Sequence, residues 1–377
     1  MADGLVTTAI SDIGMISADS HVNEPRDLWS SNLPASLRSQ AMRGIEAGDD
    51  GGWNLVLDGK HIFQKDMNSE EDRLSVLDPE KRFEVMQVDG IVAECIFPSI
   101  GLYVWMLTDP DGGRESCRIY NDWIYDTIQR KSARFACAGL IPCWNPADAV
   151  AEVEHVAALG LRAVMLPAVA NPMWNHRDWE PLWQAITATG LPVVMHQGTG
   201  HNMVWYRGPG ATITNLIATQ SMAPRVATML ATSGVLDRYP DMHVVFIEFN
   251  TGWLAWTMET MDYYDVAFRR YDTFKLSQSG KASIYPDLPH PPSYYVKRQV
   301  HSTFQFDAVG IDNIHRSGDS CLMWGSDYPH EEGTYPHSRK LVDELAATMD
   351  DAVARRVFRE NALRVFNFDL AVIDAPF

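Results

Sequence analysis

The sequence is short of positive charge. Its 377 residues carry 31 Lys and Arg against 49 Asp and Glu, a formal net charge of −18. A nucleic-acid binder is expected to show a basic stripe, and an anionic membrane attracts polybasic segments; neither is present. Long apolar runs are missing too, and none reaches the roughly 20 residues that cross a bilayer. The first ten residues lack a basic stretch followed by an apolar one, so no secretory leader is expected. Cysteine is scarce and unpatterned: Cys95, Cys117, Cys137, Cys143 and Cys321 are five, with no CxxC. That reads as reduced thiols in a cytoplasmic protein, with Cys95, Cys137 and Cys321 as core residues of apolar runs. There is no internal repeat and no low-complexity tract.

What is present is apolar and periodic. Hydrophobic residues make up 46% of the chain, enough for a large core. Short apolar runs predict strands over 15–18, 91–98, 136–142, 162–167, 192–195, 242–247, 300–304 and 321–325. Helical spacing fills the gaps over 78–88, 114–131, 146–159, 179–189 and 224–236, with closing helices over 338–348 and 351–366. Eight strands alternating with helices predict an α/β fold, a (β/α)8 TIM-type barrel, as one domain over 1–377. Residues 26–77 do not fit the alternation and read as a small excursion over the barrel mouth. Asp49-Asp50-Gly51-Gly52 is a turn cluster, and Asp58-Gly59 between two β-rich runs is a hairpin signal. The Pro-, Ser- and Tyr-rich stretch 277–292 reads as a long loop.

Several predicted strands stop on polar residues. Leu322-Met323-Trp324-Gly325-Ser326 runs into Asp327, with His330, Glu331 and Glu332 in the loop that follows. The first strand runs into Asp19 and His21, two apart and so on one side of an extended chain, with Glu24 beyond. The fifth ends on His196 and the sixth on Glu248. Each alone can be a structural polar residue. In a parallel barrel, however, all these ends open on the face that carries the active site. Imidazole nitrogens and carboxylates together form a metal-ligand set, so a divalent ion is expected there.

Three stretches carry a resemblance. They are Ser17-Ala18-Asp19-Ser20-His21-Val22-Asn23-Glu24-Pro25, Val245-Phe246-Ile247-Glu248-Phe249-Asn250-Thr251-Gly252-Trp253, and Gly325 to Pro336. Together they resemble the amidohydrolase-related family, the branch that includes decarboxylases such as aminocarboxymuconate-semialdehyde decarboxylase. The resemblance runs from about residue 15 to Asn367. It implies a metal held by Asp19, His21, His196 and Asp327. Two departures stand out: Asp19 replaces the first His of HxH, and Glu248 stands where many members have a His. No bridging lysine is evident in Ala163-Val164-Met165-Leu166-Pro167.

A carboxylate-rich set suits Fe or Mn better than Zn, although Zn remains compatible. With Glu24, Glu248, His330 and Glu332 there are ligands enough for two ions. Some relatives with this motif pattern resemble dinuclear iron or iron–manganese oxygenases. The leading expectation is therefore an O2-activating monooxygenase acting on a small organic or aromatic acid. Glu24, Glu248 and His330 would help hold or bridge the second ion. The alternative is a mononuclear Zn or Mn decarboxylase or hydrolase, with Asp327 as general base or His196 as proton donor; His330 is a third catalytic candidate. A supporting barrel subunit of a heteromer is the non-enzymatic reading, and a homo-oligomer is expected otherwise. Tyr103, Trp105, Trp205, Tyr206, Arg207, Tyr294 and Tyr295 are assigned to strand-to-helix loops. There Arg207, Trp205 and His201, followed by Asn202, are candidates for contacting an acid substrate. His301 is expected in the core, and His176, His290, His315 and His337 in solvent.

Overall fold

The alternation of apolar runs produces the architecture it predicts. A computed structural model describes residues 13–47, 52–57, 60–65, 76–201, 203–269 and 287–377. Its strands are β1 (Met15–Val22), β2 (Arg43–Ala47), β3 (Gly52–Leu57), β4 (Lys60–Lys65), β5 (Ile91–Pro98), β6 (Phe135–Leu140), β7 (Ala163–Met165), β8 (Val193–His196), β9 (Val244–Ile247), β10 (Val300–Phe304) and β11 (Leu322–Trp324). β1 and β5 to β11 form one parallel sheet in sequence order. The residues just past β11 close it against β1. Asp327 N donates to Asp19 O (2.8 Å) and His21 N to Tyr328 O (2.6 Å). The result is a (β/α)8 barrel. Nearly every barrel-strand residue is buried, as expected for a parallel sheet covered by helices on its outer face. No described helix is long and apolar enough to cross a membrane.

Three helices start on one repeated device. Asp78, Asp109 and Asn145 each accept the N–H two residues on, and each is followed by proline at the first helical position. Gly160 and Gly190 end the helices Pro146–Leu159 and Glu180–Thr189 in the left-handed region.

Several elements differ from expectation. β1 runs four residues further, because it keeps pairing with β5 out to Val22 and Pro98. The excursion holds three antiparallel strands, β2-β3-β4, rather than a hairpin alone. Asp49, Asp50 and Gly51, the turn residues Asp58 and Gly59, Asn202, and 277–286 of the expected loop lie outside the described residues. The helix expected over 224–236 is two, Met222–Thr232 and Val235–Arg238, parted at Gly234. The helix Ala211–Gln220 carried no readable pattern: Thr219 is its one buried residue and Gly210 offers it no side-chain cap. Tyr294 and Tyr295 sit in the helix Pro292–Gln299, which enters β10 from the end opposite the mouth. Trp105 is core, donating its indole N–H to Ile141 O (2.9 Å).

Candidate metal centre

Four strands deliver the site. Asp19 and His21 stand on β1 and His196 closes β8. Glu248 and Asp327 lie one and three residues past β9 and β11, both in the left-handed backbone region (φ 65° and 57°). That conformation is uncommon for residues with a side chain and recurs at functional sites. It turns both carboxylates back over the barrel mouth. Gly325 allows the approach, since a Cβ there would lie 2.3 Å from Asp19 Cβ and 2.9 Å from Asp19 N.

The two imidazoles are fixed in one tautomer. His21 Nδ1 donates to Pro98 O (2.8 Å) and His196 Nδ1 to Gln197 O (3.0 Å). With Nδ1 donating on each ring, both Nε2 atoms face into the site, 3.2 Å apart. Asp19 Oδ1 is 3.5 Å from His21 Nε2 and 3.9 Å from His196 Nε2; Asp327 Oδ1 is 3.4 Å from His21 Nε2. Both Asp19 oxygens and Asp327 Oδ2 are buried without a hydrogen-bond partner among the described residues. Buried carboxylate oxygens left without a partner beside two imidazole nitrogens are unfavourable unless a cation sits among them. A divalent ion held among these donors would relieve that cost. The residues therefore fit the ion.

Burial acts on the same groups. It raises the Asp19 carboxyl well above its usual range, with the charges of Asp327, Glu248 and Glu332 adding to the effect. It lowers His196 to about 4, so the ring is neutral at pH 7. With Nδ1 committed to a carbonyl, His196 turns Nε2 toward His21 and Asp19, where it could serve a divalent ion as a ligand.

The remaining candidates divide. His330 joins the site: its Nδ1 is 3.0 Å from Asp327 Oδ1 and its Nε2 3.3 Å from Ser99 Oγ. Glu248 joins too, with Oε2 3.5 Å from His196 Nε2. Glu24 does not. It is buried, and it accepts from Ser99 N (3.2 Å), Ile100 N (3.0 Å) and Gly101 N (2.8 Å), so it shapes the turn after β5 instead of holding a second ion. His201 turns away to Cys143 O (3.2 Å) and the Trp144 ring. Arg207 and Trp205 do line the cavity over the site, a space of about 600 Å3 walled also by Leu102, Tyr103, Tyr206, Glu248, His330 and Glu332. Three residues escaped notice in the sequence. Arg82 and Glu94, buried and paired, hold β1 from behind, Arg82 Nη1 donating to His21 O (2.9 Å). Gln197 donates its amide to Glu248 Oε1. None carries a local sequence signal, because each acts through a neighbour brought up by the fold.

A closed (β/α)8 barrel whose strand ends bring His and Asp around one divalent-ion position is a metal-dependent enzyme scaffold. The chain belongs to the amidohydrolase family, whose model matches residues 18–368. It is 21% identical over 300 residues to the gamma-resorcylate decarboxylase of Polaromonas sp. (strain JS666), covering 71% of this chain and 82% of that one. Among solved structures it is similar to an amidohydrolase from Mycobacterium avium subsp. paratuberculosis K-10 (TM-score 0.75, 16% identity, 94% and 99% of the two chains covered). It is also similar to a dihydroxybenzoic acid decarboxylase from Polaromonas sp. JS666 with bound manganese and the inhibitor 2-nitroresorcinol (TM-score 0.65, 16% identity, 96% and 99% covered).

Proposed function

We propose that the protein is a non-oxidative decarboxylase of a small, hydroxylated aromatic acid, working with one divalent ion, Mn2+ favoured. The observation that carries this reading is the Asp327–His330 pair, set beside the ligand cluster and facing an aromatic-walled cavity. Decarboxylation breaks the bond between ring and carboxylate, and the electron pair left on the ring carbon takes a proton as CO2 leaves. The ion, when bound, supplies a Lewis acid that polarises substrate oxygens. Asp19, His21, His196 and Asp327 are the residues that would hold it.

The chain's own groups supply the rest. Among the described residues Arg207 is the one Arg or Lys on the cavity wall, and it attracts the acid. Tyr103, Trp205 and Tyr206 offer ring faces to an aromatic body. His330 bridges Asp327 and Ser99 and can hold a proton at the cavity edge for delivery to the ring carbon. The similarity to decarboxylases, one with manganese, supports the same reading.

The oxygenase reading keeps one observation in its favour. Glu248, Asp327 and Glu332 bring a further set of carboxylate oxygens within 4.8 Å of one another, sharing Asp327 with the first cluster. One experiment separates the two readings. Protein from Mn- and Fe-supplemented cells is analysed for metal per chain, then assayed under nitrogen for CO2 release from a panel of hydroxybenzoates. Close to one ion per chain with anaerobic CO2 release is expected. Two ions per chain, with product only when O2 is consumed, would overturn it.

A further inference from the structure

Glu248 is oriented by a residue with no part in ligation. We infer that Gln197 is a positioning residue that holds Glu248 toward the metal centre and ties it to the wall of the cavity. Its amide donates to Glu248 Oε1, which leaves Oε2 3.5 Å from His196 Nε2. Gln197 is itself held. Its backbone N–H donates to Ile247 O (3.1 Å), so its Cα belongs to the β8–β9 pairing. Its side-chain Oε1 lies 3.3 Å from Thr219 Oγ1 on the helix Ala211–Gln220, a hydroxyl that shares its proton with Leu216 O (2.8 Å). Gln197 and Thr219 are both buried. Glu248 is also pinned from its backbone, where its N–H donates to Thr303 Oγ1 (2.7 Å).

The chemistry explains why an amide suits this place. Glu248 shares the mouth with the carboxyl groups of Asp19, Asp327 and Glu332, and repulsion among them works to push it outward. A lysine or arginine would hold it by pairing, but the added positive charge would oppose the incoming cation. A neutral amide donor holds the carboxylate and leaves its negative charge for the ion. The other end of the amide meets the helix that supplies Thr212, Asn215, Leu216 and Thr219 to the cavity wall, so the wall and Glu248 move as one.

The inference rests on the metal centre and is independent of the reaction proposed for it. It is tested by titrating metal-free protein with Mn2+ and following free Mn2+ by electron paramagnetic resonance. The proteins compared are wild type, Gln197→Leu, Glu248→Ala and the double variant. Gln197→Leu is expected to weaken Mn2+ binding about 10-fold, the size typical when a partner of a ligand is lost. In the Glu248→Ala background the same change is expected to add nothing measurable, because Gln197 acts through Glu248. Gln197→Glu, of equal size, sets a carboxylate against Glu248 and is expected to weaken binding further. Unfolding of the metal-free variants is followed in parallel and is expected to match wild type. Wild-type affinity in Gln197→Leu or Gln197→Glu overturns the inference, as does an equal loss with Glu248 absent. Wild-type protein that takes up no Mn2+ overturns the metal centre and this inference together.

Discussion

Gly325 and Asp19 show how closely single residues determine the site. Adding one methyl at 325 places it against the Asp19 backbone as well as its side chain, and a backbone cannot rotate away. Gly325→Ala is therefore expected to displace Asp19 and lower bound metal at least several-fold while the protein still folds, as read by metal analysis alongside circular dichroism. Metal content equal to wild type in the folded variant would refute the close-approach argument. At this scale the sequence was informative where an apolar run stops on a polar residue: Asp19, His21, His196, Glu248 and Asp327 all read that way, and all converge. It was uninformative where a side chain's partners come from elsewhere. Glu24 looked like a ligand because it follows DxH, yet three backbone N–H groups of the turn after β5 claim it. Gln197 looked like nothing, because its role depends on Glu248 and Thr219, 51 and 22 residues away.

Among the elements, the entry ends of β9 and β10 hold a second polar pair far from the chemistry. His301 Nδ1 donates to Ser320 O (2.7 Å), and its Nε2 accepts from His243 Nδ1 (3.0 Å), so both rings are neutral. Burial lowers His301 to about 3, helped by His243 and Arg364, and lowers His243 to about 4, helped by Arg364 and opposed by Asp241. The unfolded chain binds these protons near pH 6.5 and the folded chain does not. The stability they contribute is thus complete above that pH and is lost as pH falls from about 6.5 toward 4. Between pH 7 and 5 the loss is on the order of 1 kcal/mol for each ring. His243→Asn, whose amide can donate in place of Nδ1, is expected to flatten this fall when thermal midpoints of Mn2+-saturated proteins are compared across that range. An unchanged slope would show that His243 titrates alike in both states. Element boundaries were legible at Asp78-Pro79 and at Asn145-Pro146 with its closing Gly160; Asp109-Pro110 was not read, and the helix expected over 114–131 runs Pro110–Thr127. The helix Ala211–Gln220 was not legible, since it has neither a capping side chain nor an apolar face turned to the core.

For the molecule as a whole, the metal centre is also where the barrel closes. The hydrogen bonds joining the end of β11 to β1 run through Asp19, His21, Asp327 and Tyr328. An ion held there stabilises the closed ring by mass action, about 2.7 kcal/mol at 100 times Kd. Chelation is expected to lower the thermal midpoint by several degrees, with the earliest loss of amide hydrogen-exchange protection at residues 19–21 and 326–328, and added Mn2+ is expected to restore both. Protection lost first at the helices instead would separate the ion from ring closure.

The same closure has a consequence in time. Ser326 N bonds to Ser17 Oγ across 309 residues of chain, and the proposed ligands Asp19 and Asp327 are its near neighbours. At ribosomal rates of roughly 5–20 residues per second, the first two ligands precede the last by about 15–60 s. Through that interval Asp19 and His21 have at most His196 and Glu248 opposite them and lack Asp327, so an ion caught there would meet an incomplete set. The choice of metal is therefore expected to fall late, when translation is nearly finished, to the ions around the finished chain. Nascent chains halted before Asp327 are expected to retain none.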